Sequence, residues 1–342
     1  MREFLRALGV CCILAGCEQP HDTAAARSPL KATHVAARQG YERYEYRLPR
    51  QSCGPSAIAL GPDDALWFTE TRLCPGIGRI ALNGRIHEFR TAPLFPNLPG
   101  SIVSGRDGAL WFAASHSVGR ITTEGDVRAY PIPLGSFEVT DLTVGPDGAI
   151  WFSGFSSSSR PQGAIGRIDH GARLLLRTPG IPFHLVTGRD QTLWFTQNSP
   201  PAIWRLASNQ SLKRFSVNNE PVDIAAGNDG SIWLIARTMN EGSPETERVG
   251  RLDASGKVRL FAAPMGVEPT FVANPRWIAR GPDDMWYGTG SSLVRISADG
   301  TTVFYSPKSP NSVPSAVAVG PKGDLWFTEY NADAIGRIKL SQ

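Results

Sequence analysis

Seven phrases of one form recur along the chain, each carrying a tryptophan: GPDDALWFTE, GRDGALWFAA, GPDGAIWFSG, GRDQTLWFTQ, GNDGSIWLIA, GPDDMWYG and GPKGDLWFTE. The tryptophans are Trp67, Trp111, Trp151, Trp194, Trp233, Trp286 and Trp326, spaced by 44, 40, 43, 39, 53 and 40 residues. Nine to eighteen residues after each comes an arginine followed by Ile or Leu: Arg79, Arg120, Arg167, Arg205, Arg251, Arg295 and Arg337. A period of this length marks a fold built from stacked supersecondary units, none of which can bury its apolar face alone.

Each unit reads as four short strands. An apolar run such as residues 57–60 leads into a Gly-x-Asp turn, the second strand carries Leu-Trp-Phe, and the third ends in Gly-Arg-Ile. A fourth, such as 85–89 or 257–261, alternates polar and apolar residues. No helix-length pattern separates the strands, which excludes parallel α/β folds. Four antiparallel strands per unit define a propeller blade. The last unit stops after its third strand, near Leu340, while residues 44–49 resemble a fourth strand without a unit of their own. The N-terminal strand is therefore predicted to complete the C-terminal blade, which pairs the open edges of the ring. The expectation is an all-β fold, a seven-bladed β-propeller of four-stranded antiparallel blades over residues 43–342.

Composition agrees. The 35 Gly and 27 Pro supply turns, and 41% hydrophobic residues suffice for a large core. The net charge of +4 comes without a basic block, so no nucleic-acid partner is expected. The repeated residues are read as structural. The tryptophans fill space between blades, while Asp63, Asp107, Asp147, Asp190, Asp229 and Asp283 stabilise tight turns. The repeated arginine is expected to bond carbonyls or a turn aspartate. Trp204 and Trp277 fall outside the pattern.

The N-terminus has the layout of a secretory signal: Arg2 and Arg6, then an apolar run too short to span a bilayer. The run ends in Leu14-Ala15-Gly16-Cys17, which resembles the lipobox of bacterial lipoproteins. Residues 1–16 are thus expected to be a removed signal, Cys17 the lipidated residue, and 17–42 a tether. This places the mature protein in the bacterial envelope, in the periplasm or on the cell surface, with the membrane reached through lipid only. Of the five cysteines, Cys53 and Cys74 then remain. Strand pairing through the turn at Asp63–Asp64 sets them opposite each other, and an exported compartment permits a disulfide.

The phrases Gly61 to Glu70, Gly145 to Phe152 and Gly320 to Glu329 carry a family resemblance. So do Ile77 to Ile80, Ile165 to Ile168 and Ile335 to Ile338. Together they resemble the virginiamycin B lyase (streptogramin lyase) family across about residues 43–342. The resemblance implies a seven-bladed propeller. It also implies opening of a cyclic depsipeptide at its ester by elimination, with carboxylate-bound Mg²⁺ and a histidine base. The family's histidine sits in a Pro-His-Gly phrase ten or eleven residues before the tryptophan. Here those positions hold Ser56, Gly100, Thr140, Phe183, Val222, Arg276 and Ser315. His184 lies one position late, and a one-residue slip on a strand reverses side-chain direction. Glu268-Pro269 is followed by Thr270 and lies out of register. The scaffold transfers; the family's catalytic set does not.

The residues themselves offer another constellation. Asp141, His184 and Asp223 share one column, ten residues before Trp151, Trp194 and Trp233. On neighbouring blades they form an arc that can bind a divalent cation or perform acid–base chemistry, or simply solvate the start of the strand. Asp141 and Asp223 are the metal candidates, and Mg²⁺ is the cofactor implied. Further ligand-binding candidates are Arg276 and Trp277 on blade six, Glu70 and Glu329 on blades that meet on closure, and Gln197 in the same column as those glutamates. Insertions at 155–162 and 238–248 fall on the same face as the arc, and long loops on one face often mark the binding side. Three functions follow. The chain is a propeller binding a small molecule, glycan or envelope protein on that face; or a lyase or hydrolase of cyclic depsipeptides or lactones such as streptogramin B antibiotics, with a rebuilt site; or an envelope scaffold.

Overall fold

The computed structural model describes residues 34–35 and 41–340, apart from 92–93, 96–99, 134–135, 239–245, 254–255, 262–276, 290–291 and 310–311. For 34–35, 238, 246 and 247 it describes the backbone only. Cys17, Arg276 and the Glu268–Thr270 phrase lie outside these residues, as does most of the segment read as signal and tether.

Seven sheets form, each built on four antiparallel strands; in blades one to six these four run in sequence order from the inside out, and in blade seven the outermost is the N-terminal strand. Blade one is typical: Pro55–Leu60, Leu66–Glu70, Gly76–Ile80 and Ile86–Arg90. The first strands of successive blades pack on one another around the axis. Every residue of the second strands Leu66–Glu70, Leu193–Gln197 and Leu325–Glu329 is buried, because both faces of a blade are covered by its neighbours. Each large apolar side chain buried there stabilises the ring by about 1.5–3 kcal/mol. The fourth strands are half-buried and polar on alternate positions, as suits an edge.

The ring closes as expected. Glu42–Arg47 pairs with Ala334–Lys339 of blade seven, with Tyr44 opposite Arg337 and Tyr46 opposite Ile335. Tyr46 stacks on Trp326 with ring centroids 5.7 Å apart. Asp333 secures the crossing into blade one. Its carbonyl accepts the Leu48 N–H at 2.8 Å, and its carboxylate accepts those of Ser52 and Gly54 at 2.7 and 2.9 Å. Asp333 adopts φ +47°, a left-handed conformation that aspartate tolerates better than most residues. Within the segment read as a tether, His34–Val35 pairs parallel with Thr302–Val303 as a fifth strand on blade six.

The repeated polar residues form a lock at each turn. Asp63 accepts the Trp67 indole N–H at 2.9 Å through one oxygen and Arg79 Nε at 2.6 Å through the other. Asp107 repeats this with Trp111 and Arg120 at 3.0 and 2.7 Å. In blade six the arginine partner is Asp284, not the expected Asp283: Arg295 Nε meets it at 2.6 Å. That turn is one residue shorter, so the carboxylate just before the second strand takes over, as Asp324 does for Arg337 at 2.9 Å. The glycine of Gly-Arg-Ile is sterically required in blade one, since a Cβ on Gly78 would stand 2.1 Å from the Phe68 ring. Blade four solves the same problem with Trp204, which stacks on Phe195 at 6.3 Å.

Candidate functional site

The first strands of blades one, three, four, five and seven each carry a bulge near their start, between Pro55 and Ile58, Val139 and Asp141, Pro182 and Leu185, Pro221 and Asp223, and Pro314 and Ala316. A bulge leaves backbone groups outside the ladder, and these need other partners. Hydroxyls of the second strand supply some. Thr69 accepts the Ala57 N–H at 3.0 Å, Thr196 accepts the His184 N–H at 3.1 Å, and Thr328 donates to the Ser56 carbonyl at 2.6 Å.

Asp141 and Asp223 supply the rest. Asp141 accepts the Leu142 N–H and, across the seam, the Leu185 N–H of blade four, both at 2.8 Å. Asp223 accepts the N–H of Ile224 and that of Ile278 in blade six, both at 2.7 Å. His184 sits between them. Its Nδ1 is 3.2 Å from Asp223 Oδ1 and 3.9 Å from Asp141 Oδ2. The imidazole is 40% exposed, whereas the two carboxylate side chains are 14% and 13% exposed. Burial raises the Asp223 pKa to about 6 and lifts that of Asp141 above the usual carboxylate range, in both cases against the pull of the His184 imidazole.

The arc read from the repeat column thus comes together. The one-residue slip does not turn His184 away, because the bulge at Pro182–Leu185 interrupts the two-residue alternation on which that argument rests.

The other candidates go elsewhere. Glu70 extends the row Leu66–Phe68 that packs toward blade seven, while Glu329 extends Leu325–Phe327 toward blade six, so the two glutamates occupy different seams. Glu70 is fully buried and bonded to Arg50 at 2.8 Å, and Arg50 also holds Glu88 at 2.6 Å. Burial, then the charge of Glu88, pushes the Glu70 pKa to about 8; burial takes Glu329 to about 7. Gln197 is buried as a structural tie, donating to the Pro200 carbonyl at 2.8 Å and accepting the Trp204 indole N–H at 3.1 Å. Trp277 is core: it is 7% exposed and donates its indole N–H to the Pro314 carbonyl at 3.0 Å. Sequence reasoning missed Arg50, Glu88 and Asp333, which have no repeated counterpart to mark them.

The disulfide joins Cys53 to Cys74, with Cα atoms 4.9 Å apart. It forms beyond the ladder, which ends at Pro55 and Glu70, because the 71–75 loop folds back and the Leu73 N–H bonds the Ser52 carbonyl at 3.0 Å. Among the described residues one metal-like group, Cys53, Glu70 and Glu88, has donor atoms within 4.8 Å. Its sulfur is in the disulfide and Arg50 bridges one oxygen of each carboxylate, while Glu70 Oε1 and Glu88 Oε1 are buried without a hydrogen-bond partner.

Fold and site together define a seven-bladed propeller with a histidine–carboxylate cluster at the start of its inner strands. The chain belongs to the virginiamycin B lyase family, which it matches over residues 36–175, 97–268 and 138–342. It is 30% identical over 231 residues to the virginiamycin B lyase of Nocardia farcinica, covering 66% of this chain and 76% of that protein. A streptogramin B lyase structure superposes with TM-score 0.72 at 25% identity, over 88% of this chain and 98% of the other. A catalytically inactive variant of the Staphylococcus aureus virginiamycin B lyase with quinupristin gives TM-score 0.72 at 27% identity, over 88% and 100%.

Proposed function

We propose that this chain is an exported, lipid-anchored propeller that binds a cyclic depsipeptide or lactone on the face that carries His184. The observation that carries the reading is the half-exposed imidazole held 3.2 Å from the nearly buried Asp223. Such an imidazole presents a rigid polar contact beside a ring of satisfied backbone groups. The 155–162 insertion lies on the same face. Quinupristin, present with the Staphylococcus aureus relative, is the ligand to test. Calorimetry should show saturable binding that His184→Ala weakens by tenfold or more. Binding that is absent in both proteins, with a cell-wall glycan bound instead, overturns the choice of ligand. Export rests on the signal-like N-terminus, with residues 1–16 removed and a tether that begins at Cys17, and on the Cys53–Cys74 bond, which suits an oxidising compartment. Cys17→Ala should move the protein from the membrane fraction to the soluble one.

A second reading is favoured by the same pair. A carboxylate at Nδ1 leaves Nε2 as the free ring nitrogen, the arrangement of an oriented general base. In an elimination, His184 would take a carbon-bound proton. The electron pair of that C–H bond forms a C=C bond, the neighbouring C–O bond breaks, and its oxygen leaves with the bonding pair as carboxylate. The Mg²⁺ implied by the family fits this arc poorly. Each carboxylate oxygen already accepts a backbone N–H, and the imidazole lies between the two groups. The step is therefore written without the metal. Elimination leaves the mass of quinupristin unchanged but alters its chromatographic retention, whereas hydrolysis adds one water. Unaltered retention and mass after long incubation count against this second reading and leave binding as the function.

A further inference from the structure

In six of the seven blades an aromatic ring lies on the repeated tryptophan. The pairs are Phe89 on Trp67, Tyr130 on Trp111 and Phe215 on Trp194, then Phe261 on Trp233, Tyr305 on Trp286 and Tyr46 on Trp326. Their centroids are 4.9–5.7 Å apart. The ring comes from a fixed place in the blade. It pairs with Ile77, Val118, Ile203, Leu293 or Ile335 of the third strand in blades one, two, four, six and seven.

Blade three departs from this rule. The residue opposite Ile165, the equivalent third-strand position, is Leu176. The fourth strand also bulges there: Leu176 faces Ile165 and Leu174 faces Gly166, so Leu175 is the extra residue. Among the described residues no ring stacks on Trp151, and it is the one repeated tryptophan that is half-buried, the other six being buried. A cleft of about 400 Å³ opens beside it between blades three and four, walled by Trp151, Leu175, Leu176, Leu193 and Leu206. The charges at its polar side are matched. Arg167 pairs with Asp147 at 2.9 Å and Asp169 at 4.0 Å, and Arg173 pairs with Asp169 at 3.8 Å. Pro146 and Asp147 belong to the Gly-x-Asp turn, so the cleft opens at the opposite end of the blades from His184.

We propose that this cleft is a second ligand site, for a small molecule carrying an uncharged aromatic ring that stacks on Trp151. The other six blades show what chemistry the position accepts, since each fills it with a ring of its own. An apolar cavity of about 150 Å³ is enough to bind benzene, so the cleft has room for a substituted ring. Matched charges around it favour a neutral ligand. The proposal does not depend on what binds at His184.

The test is an NMR titration of isotope-labelled protein with phenol, following the indole N–H signals, with Trp151→Phe to assign the one that matters. The expected result is a saturable shift of the Trp151 signal alone, and no shift with cyclohexanol. Leu176→Phe, which restores the internal ring, should abolish the shift and raise the melting temperature. Should that variant not fold, Leu176→Tyr, using the residue native to blades two, six and seven, makes the same test. A shift that does not saturate, that cyclohexanol reproduces, or that persists at equal size in the filled variants overturns the site. A tyrosine-containing peptide that shifts Trp151 where phenol does not would overturn the small-molecule assignment and make the occupant a protein side chain.

Discussion

Asp223 touches three blades at once: it accepts the N–H of Ile224 in its own blade and of Ile278 in the next, and faces His184 Nδ1 of the preceding blade at 3.2 Å. Scaffold and candidate site therefore meet in one carboxylate, and substitutions can separate them. Asp223→Ala strands buried donors, at a cost of about 1–3 kcal/mol for each unmet group. His184→Ala removes a half-exposed ring and should stay within about 0.5 kcal/mol of the parent while losing quinupristin binding. Urea melts read with calorimetry check both. Equal destabilisation by the two substitutions would make the imidazole a structural element.

Stability should peak in mildly acidic solution. Burial above all raises Glu70 to about 8, Glu329 to about 7 and Asp223 to about 6. A carboxyl whose proton is held more tightly in the folded chain stabilises the fold below its ordinary pKa, about 4 to 4.5, and that contribution disappears as pH rises through the folded value. The turn aspartates act in the opposite sense. Burial works against ionisation of Asp63 and Asp107, but hydrogen bonds from Trp67 and Arg79, and from Trp111 and Arg120, outweigh it and hold both below the usual range. Their contribution is lost as pH falls below about 4. Melting temperature should therefore be highest near pH 4 to 4.5 and decline from there toward pH 8. Glu70→Gln should flatten the alkaline side of that profile.

Reduction of Cys53–Cys74 opens a loop of 21 residues, and chain entropy assigns such a closure about 3 kcal/mol. Denaturation with and without reductant should show a lower midpoint in the reduced protein. The double variant Cys53→Ala, Cys74→Ala should match the reduced form and be indifferent to reductant.

Ring closure depends on a strand that the C-terminal unit lacks. Tyr46→Ala removes the ring stacked on Trp326 and should cost about 2–4 kcal/mol. Tyr46→Phe keeps the ring and should cost about 1 kcal/mol or less. Cooperative unfolding monitored by tryptophan fluorescence and by circular dichroism should shift together in both variants. An alanine variant as stable as the parent would mean that the N-terminal strand is not needed to hold blade seven.

Local patterns in the chain were enough to determine the blade count, the order of strands, the shared N- and C-terminal blade and the Cys53–Cys74 pairing. Each of these follows from repetition or from turn chemistry, which act over a few residues. The column of Asp141, His184 and Asp223 was legible for the same reason, since equal distance from a repeated tryptophan puts residues at equal height on adjacent blades. Direction and seam were not legible. Strict two-residue alternation turned His184 away, but a bulge intervened, and a bulge is a backbone irregularity that no residue type announces. Glu70 and Glu329 shared a phrase and sat on adjacent blades, yet their side chains entered different seams. The Arg50–Glu70–Glu88 contact and the gap beside Trp151 arise only when distant segments pack. What fills a seam depends on the neighbouring blade, and only the closed ring brings the two together.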